Sequence, residues 1–379
     1  MLLERSFPHV IVGAGIIGLS TAFELFSRGV PATDIAIIDP APRSGATFAA
    51  GGMLAPCAEV QYKQEPLYPL MVESARLYPD LITRLQEYTD QDLGYRTEST
   101  FVVAADRADA THLKELTTHQ QGHLFEVERL TLRQARAKEP ALHPQLAGVV
   151  EIPGDHQINP RMYSAALLAV LQERGVAFVE KQATALNRED GRVTSVECGD
   201  LRVDVSDTAY LCNGLGAAQV TGWYPGEKNP LQLRPVRGDM LRLRVPEGQE
   251  PPVGRVIRGF VEDRPIYIIP RTDGTIAVGA TSREDARRGP AVDGVFTLLR
   301  DAIRIVPGLE DCEFIEAITG DRPGTPDDMP YLALWGENLV ISTGYFRHGI
   351  LLSALGAHVG ADLGLNRTTE YTEALWTSQ

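Results

Sequence analysis

The chain has 379 residues. At about 100–200 residues per domain that leaves room for two domains and for a large core without metal or disulfide staples. Lys+Arg number 36 and Asp+Glu 50, a net charge of −14, which is a poor footprint for a nucleic-acid binder or for docking on anionic lipid.

The four cysteines, Cys57, Cys198, Cys212 and Cys312, are never closer than 14 residues. Such spacing excludes a C-x-x-C zinc pair and a dense disulfide framework, and scattered thiols suit a reducing cytoplasm. No run of about 18 uncharged apolar residues is present, so no transmembrane helix is expected. Met1 to Pro8 is too short and too charged for a signal peptide. These features together point to a cytoplasmic protein.

In chain order, Val10-Ile11-Val12 reads as a buried strand. Leu19 to Arg28 reads as a helix, with Gly29 as its C-terminal stop. Ile35 to Ile38 is a second strand, completing a β-α-β unit of about 30 residues. Helical pattern returns over Glu65–Tyr88 and Ile158–Arg174. The latter carries Asn159 as N-cap, Pro160 at the first helical position and Gly175 at its end. Val176–Glu180 is a strand, Val193–Val196 and Leu201–Val205 a hairpin, and Thr208–Cys212 a further strand. From Leu231 to Thr281 the chain alternates: Leu241, Leu243 and Val245 interleave with Arg242 and Arg244, and Asp273-Gly274 marks a tight hairpin. This predicts an antiparallel sheet with one face solvated or lining a cavity. Leu339–Ser342 is a last strand, followed after Gly344–Gly349 by a helix from Ile350 to about Leu363. The whole is α/β: a nucleotide-binding unit, antiparallel insertions, and a return to the first unit.

Gly13-x-Gly15-x-x-Gly18 sits between a strand and a helix, with Asp39 twenty-one residues beyond Gly18. Gly13 makes the tight turn, Gly15 lets the backbone approach a pyrophosphate, and Gly18 lets helix pack on strand. The diphosphate then meets the free N–H groups of a helix N-terminus. Asp39 can accept from ribose hydroxyls and repels a 2′-phosphate. This is a dinucleotide site, although these residues alone do not separate FAD from NAD. The small-residue run Ser44–Pro56 would let a flat group lie against backbone. The turn Gly344–Gly349 leads into a helix whose N-terminus carries roughly half a positive charge, suited to an anionic group.

V-I-V-G-A-G-I-I-G-L-S-T-A, G-G-M-L-A-P, R-P-G-T-P-D and G-Y-F-R-H-G-I-L-L occur in the order found in the D-amino-acid oxidase (DAO) family of flavoenzymes, and the chain resembles the glycine oxidase branch of that family, linked to thiamine biosynthesis, over nearly its whole length. The resemblance implies noncovalent FAD bound by a Rossmann-like, glutathione-reductase-type domain, with an interleaved α+β substrate domain built on an antiparallel sheet. The FAD domain would take residues 1–90, 155–222 and 318–379, and the substrate domain 91–154 and 223–317. It implies oxidation of glycine, sarcosine or a small D-amino acid to an imine, then to 2-oxo acid and ammonia, with O2 reduced to H2O2. A dehydrogenase using another acceptor, or an NAD-dependent Rossmann enzyme, are the alternatives. The reading has no nucleic-acid or membrane partner, and a homo-oligomer is compatible with it.

By the same resemblance Gly13, Ala14, Gly15 and Gly18 hold the pyrophosphate, and Asp39 and Pro40 the adenosine ribose. Ala46, Thr47, Gly51, Gly52 and Met53 line flavin and diphosphate. Thr184 touches the adenine side, and Tyr345, Phe346, Arg347, His348, Gly349, Ile350 and Leu351 wrap the pyrimidine end of the ring. Arg322 would clamp the substrate carboxylate with two parallel donors; on residues alone it could equally pair with Asp321 or Asp327. Tyr267 would add a hydroxyl to that carboxylate, and Arg347 and Met53 would border the substrate. Ser282 would shape the pocket wall. Where relatives show Ala-Gly-x-Trp-Ser this chain has Asn213-Gly214-Leu215-Gly216-Ala217, and no cysteine stands near Arg322 for a covalent flavin. No residue is assigned as catalytic acid or base, because a carboxylate-anchored amine can give its hydride straight to flavin. His119 and His123 lie four apart without an apparent acidic third ligand, so no metal site is expected.

Overall fold

The computed structural model describes residues 3–223 and 228–376. Residues 1–2, 224–227 and 377–379 of the expected domain division lie outside the described residues. Two eight-stranded sheets organise these residues.

The first sheet is built on β1 (Leu3–Val12), flanked by β2 (Ile35–Ile38) and β8 (Ala177–Val179) on one side. β11 (Leu201–Leu211), β18 (Leu339–Thr343) and β17 (Tyr331–Trp335) lie on the other. β1, β2, β8, β11 and β18 run parallel, and the hairpin of β9 (Ala185–Glu189) and β10 (Arg192–Cys198) extends β11. Between β1 and β2 runs α1 (Ile16–Ser27), buried from Ile16 to Leu25. Gly29, with φ +96°, follows its end as expected. The sequence reading split β11 into a hairpin arm and a separate strand. It is one strand: its first half pairs with β10, its second with β18, and an irregularity opposite Phe7 and His9 of β1 absorbs the change.

α6 (Pro160–Arg174) and α8 (Ser353–Gly364) pack on α1, and α3 (Tyr68–Gln86) packs on α8. Asn159 caps α6 by accepting the Arg161 N–H, and Gly175 closes it in the left-handed conformation. The last helix begins later than expected. Phe346–His348 form a 3-10 turn, and α8 proper starts at Ser353 rather than Ile350.

The second sheet runs β16 (Glu313–Gly324), β12 (Arg234–Arg244), β15 (Thr275–Gly279), β14 (Arg264–Pro270), β13 (Ile257–Val261), β4 (Thr100–Ala104), β6 (Gly148–Ile152), β5 (Glu128–Leu130). All its pairs are antiparallel except β13 with β4. The Asp273-Gly274 turn joins β14 to β15, with Gly274 at φ +75°. α4 (Arg107–Gly122), α5 (Leu132–Lys138) and α7 (Val292–Ile305) belong to this half. The short α2 (Ala46–Ala49) and the two-residue ladder of β3 (Met53–Leu54) with β7 (His156–Gln157) lie at the junction. The face expected to be solvated or to line a cavity lines one at Gly238 and Met240, and Arg242 on the same face of β12 is not solvated. That side chain is buried, pairing with Glu316 at 3.1 Å and donating to the Phe48 carbonyl, while Arg244 is exposed. A division before residue 318 would cut β16, which lies wholly in the second sheet.

Candidate active site

Four parallel strands end at the same edge of the first sheet. Gly13, Asp39, Cys212 and Gly344 immediately follow β1, β2, β11 and β18, which is where ligands bind in open α/β sheets. β12, β14 and β16 of the second sheet face that edge, and a cleft of about 700 Å³ lies between.

The cleft's nucleotide end is set by glycine. Gly13 has φ +105°, and a Cβ there would stand 2.7 Å from the Asn213 Cα. A Cβ on Gly18 would stand 1.9 Å from the Gly13 carbonyl oxygen, so helix and strand pack backbone to backbone. Gly15, by contrast, would meet only Thr47 Oγ1, at 3.5 Å; it faces the cleft. Asp39 accepts the Ala14 N–H at 2.7 Å and the Ala41 N–H at 2.8 Å. The carboxylate therefore braces the glycine turn, and an ionised carboxylate keeps lone pairs for further donors. Thr47 Oγ1 accepts the Ile16 N–H at 2.9 Å, occupying one donor of the first turn of α1. Pro40 and Ala46 line the cleft, while Gly13, Ala14 and Gly18 act from behind it. Thr184 is outside the lining. Its N–H donates to the Glu197 carbonyl, and Gln182 borders the cleft instead.

Gly51 and Gly52 carry the chain to the other end. A Cβ on Gly51 would lie 3.1 Å from the Tyr267 ring, and one on Gly52 (φ +78°) 2.1 Å from the Ile158 carbonyl oxygen. Arg271 donates to the Gly51 carbonyl. Met53 follows in β3 and lines the cleft with Ser282.

Arg322 stands on β16 opposite Val236 of β12. Its neighbours in sequence are engaged elsewhere: Asp321 pairs with Arg237 at 3.2 Å, and Asp327 accepts from Met329 N–H and Thr325. Among the described residues no carboxylate pairs with Arg322, which donates to the Thr281 carbonyl at 3.3 Å. Its guanidinium fits because residue 238 is glycine; a Cβ there would lie 2.3–2.5 Å from the guanidinium atoms. Burial lowers the Arg322 pKa, and the adjacent Tyr267 opposes that shift. Tyr267 donates to Met240 Sδ at 2.8 Å, a weak acceptor that a substrate oxygen can replace. Burial raises its pKa, so it remains a donor.

Arg347 pairs with Glu59 at 3.2 Å, and Glu59 also pairs with Arg258. Burial and the neighbouring Arg347 press Arg258 down to about 9, still cationic at neutral pH. Four guanidinium groups, those of Arg322, Arg347, Arg258 and Arg271, act on Tyr267, and the Glu59 carboxylate pairs with two of them. His348 is buried beside Arg347 and Arg258 and pushed down to about 3, so its ring is neutral. Tyr345 turns inward: its hydroxyl bonds to Ser342 at 2.8 Å and fits over Gly356. Phe346, Gly349, Ile350 and Leu351 border the cleft.

Glu59, Arg258, Gly238 and Gln182 were missed by the sequence reading. Arg258 had a signal, since it sits directly opposite Tyr267 once the turn at Glu262-Asp263 is read as a hairpin. Cys312 lies outside the cleft lining. The open face at Gly15, the helix start behind it and the length of the cleft, from Asp39 to Arg322, fit an FAD.

The glycine oxidase of Geobacillus kaustophilus is 31% identical over 378 residues, 97% of this chain and 96% of the relative. Its crystal structure superposes with a TM-score of 0.85 at 29% identity, covering 99% of both chains. The bifunctional protein ThiO/ThiG of Trichormus variabilis is 32% identical over 359 residues, 93% of this chain and 52% of the relative. The chain thus spans about half the length of such relatives. The iminodiacetate oxidase of Chelativorans sp. BNC1, 24% identical with a TM-score of 0.81 over 96% of each chain, shares the fold. The pattern of the FAD dependent oxidoreductases named DAO matches residues 9–363. That match runs from the half of β1 that pairs with both β2 and β11 to the last turn of α8 and takes in both sheets and the cleft between them, so the chain belongs to the DAO family of FAD-dependent oxidoreductases.

Proposed function

We propose that the chain is an amine oxidase acting on glycine or another small amine or amino acid, such as sarcosine or a small D-amino acid. The observation that carries this reading is Arg322, a half-buried cation in the cleft with no carboxylate partner among the described residues. Burying a lone cation is costly, and a substrate carboxylate would offset that cost with two parallel charge-assisted bonds.

Bound FAD supplies the two-electron oxidation of the amine, with O2 as its final oxidant. Tyr267 donates a second hydrogen bond to the carboxylate, trading its weak bond to Met240 for a stronger one. Arg347, anchored by Glu59, adds positive charge on the same side. Gly51 and Gly238 hold ring and guanidinium in position by leaving no room for a Cβ on either. Orientation and charge are what these residues contribute; no acid or base is required of them. Written out for glycine, amine, O2 and water become glyoxylate, ammonia and H2O2.

The division into an FAD domain and a substrate domain is part of the same proposal, with the last crossover after Gly324. So are noncovalent FAD, a cytoplasmic location and a place in thiamine (thiazole) biosynthesis, the last resting on the resemblance to glycine oxidases. Among the described residues no helix is long and apolar enough to cross a membrane.

The test is spectroscopic. The purified protein should show flavin bands at about 370 and 450 nm, which bleach on anaerobic addition of glycine. Air should restore them and release H2O2. Bleaching that only an artificial acceptor reverses would move the chain to the dehydrogenases. Flavin indifferent to glycine, sarcosine and D-alanine would sink the substrate assignment.

A further inference from the structure

His119 lies near the end of α4 and His123 is its C-cap, so the two rings share one side of the helix end, 4.6 Å apart. The fold supplies the acid that the local sequence lacks. Glu65 opens the 3-10 turn Glu65–Leu67 ahead of α3, and one donor atom from each of Glu65, His119 and His123 lies within 4.8 Å of the others.

The neighbours orient this cluster. The Tyr68 hydroxyl donates to the Gln61 carbonyl at 2.5 Å, so its contact with His119 Nε2 at 3.0 Å is one it accepts. That places the proton of His119 on Nε2 and leaves the lone pair on Nδ1. Fixing a ligand's tautomer through its other ring nitrogen is how outer-shell partners prepare metal-binding histidines. The Tyr62 ring stands 4.6 Å from His119 and the Tyr68 ring 5.2 Å from His123, walling the cluster. Glu65 and His123 are exposed and His119 is half-buried, so an ion can enter and keep a water ligand. None of the three lines the flavin cleft.

We infer that Glu65, His119 and His123 form a divalent transition-metal site, with Zn²⁺ as the ion best suited to two imidazoles and a carboxylate. Donors about 2.0–2.1 Å from a tetrahedral zinc sit about 3.3 Å apart, a closure that rotations of the exposed Glu65 and His123 side chains supply. The role is structural. The ion ties the turn Glu65–Leu67 to α4, and that turn ends the segment that carries Glu59 to Arg347 and Arg258.

The FAD-loaded protein, stripped with EDTA, is titrated with ZnCl2 above neutral pH by calorimetry. One ion per chain should bind with a dissociation constant at or below about 10 μM and raise the melting temperature. The His119→Ala/His123→Ala double variant should bind at least about 100-fold more weakly and lose the zinc-induced rise. Glu65→Gln should weaken binding about 10-fold or more. Flavin content of each variant reports that it is folded. No zinc uptake by the parent, or parent-like binding by the folded double variant, overturns the site; parent-like binding by Glu65→Gln overturns the third ligand.

Discussion

Arg322 illustrates how one side chain's function depends on others withdrawing from it. Asp321 and Asp327, the partners that proximity suggests, are committed to Arg237 and to the local turn, and Gly238 leaves the space that the guanidinium fills. A charge-assisted hydrogen bond is worth about 1.5–3 kcal/mol, so losing two should lower kcat/KM by roughly 10²–10⁴-fold. For Arg322→Ala we expect that loss mainly as a raised KM, with flavin retained. Steady-state kinetics beside the flavin spectrum decide it; a variant that purifies colourless would make the residue structural. Gly238→Ala acts on the same guanidinium through sterics. It should raise KM by about tenfold and keep its flavin, and an unchanged KM would show that Arg322 has another position open to it.

At the scale of elements, the segment from Met53 to Gln64 links the flavin side to the substrate cations, and a buried carboxylate holds it. Asp155, between β6 and β7, accepts the N–H groups of Cys57 and Ala58 at 3.1 and 2.6 Å. Burial outweighs those two donors and raises its pKa from 3.8 to about 7. The folded state thus holds a proton that the unfolded chain has released. Stability from this group is fully present below about pH 4 and is lost as pH rises through about 7. Over three units that is about 4 kcal/mol at most. Melting temperatures of parent and Asp155→Asn across this range should show the parent losing ground to the variant up to pH about 7 and no further. A constant difference would mean the carboxyl does not titrate there. Asp155 also marks the boundary of what sequence can show. Gly13, Gly15, Gly18, the Asn159 cap and the Asp273-Gly274 turn are legible because each acts on neighbours a few residues away. Glu59 with Arg258, Arg322 over Gly238, and Glu65 beside His119 are meetings between distant segments, decided by strand register and helix packing. The start of α8 differs for a related reason: Ile350, Leu351 and Leu352 form turns ahead of Ser353, and their apolar run reads the same as the helix that follows.

At the scale of the molecule, the net charge of −14 and the site have opposite signs. A net charge away from zero favours solubility, while the substrate end of the cleft gathers Arg322, Arg347, Arg258 and Arg271 around Tyr267, with Glu59 pairing two of them. Such a cleft is held between two sheets and carries Arg322 without a carboxylate partner among the described residues, so its ligand should also be part of its stability. FAD that binds the folded chain alone stabilises it by RT ln(1 + [FAD]/Kd), about 2.7 kcal/mol at 100 times Kd. The flavin-stripped protein should therefore melt several degrees lower, and its melting temperature should climb with the logarithm of added FAD. NAD at equal concentration should leave it unmoved, because the family match assigns the cleft to a flavin. Differential scanning calorimetry with both nucleotides checks this, and a melting temperature indifferent to FAD would mean that the cleft between the sheets is not where the cofactor binds.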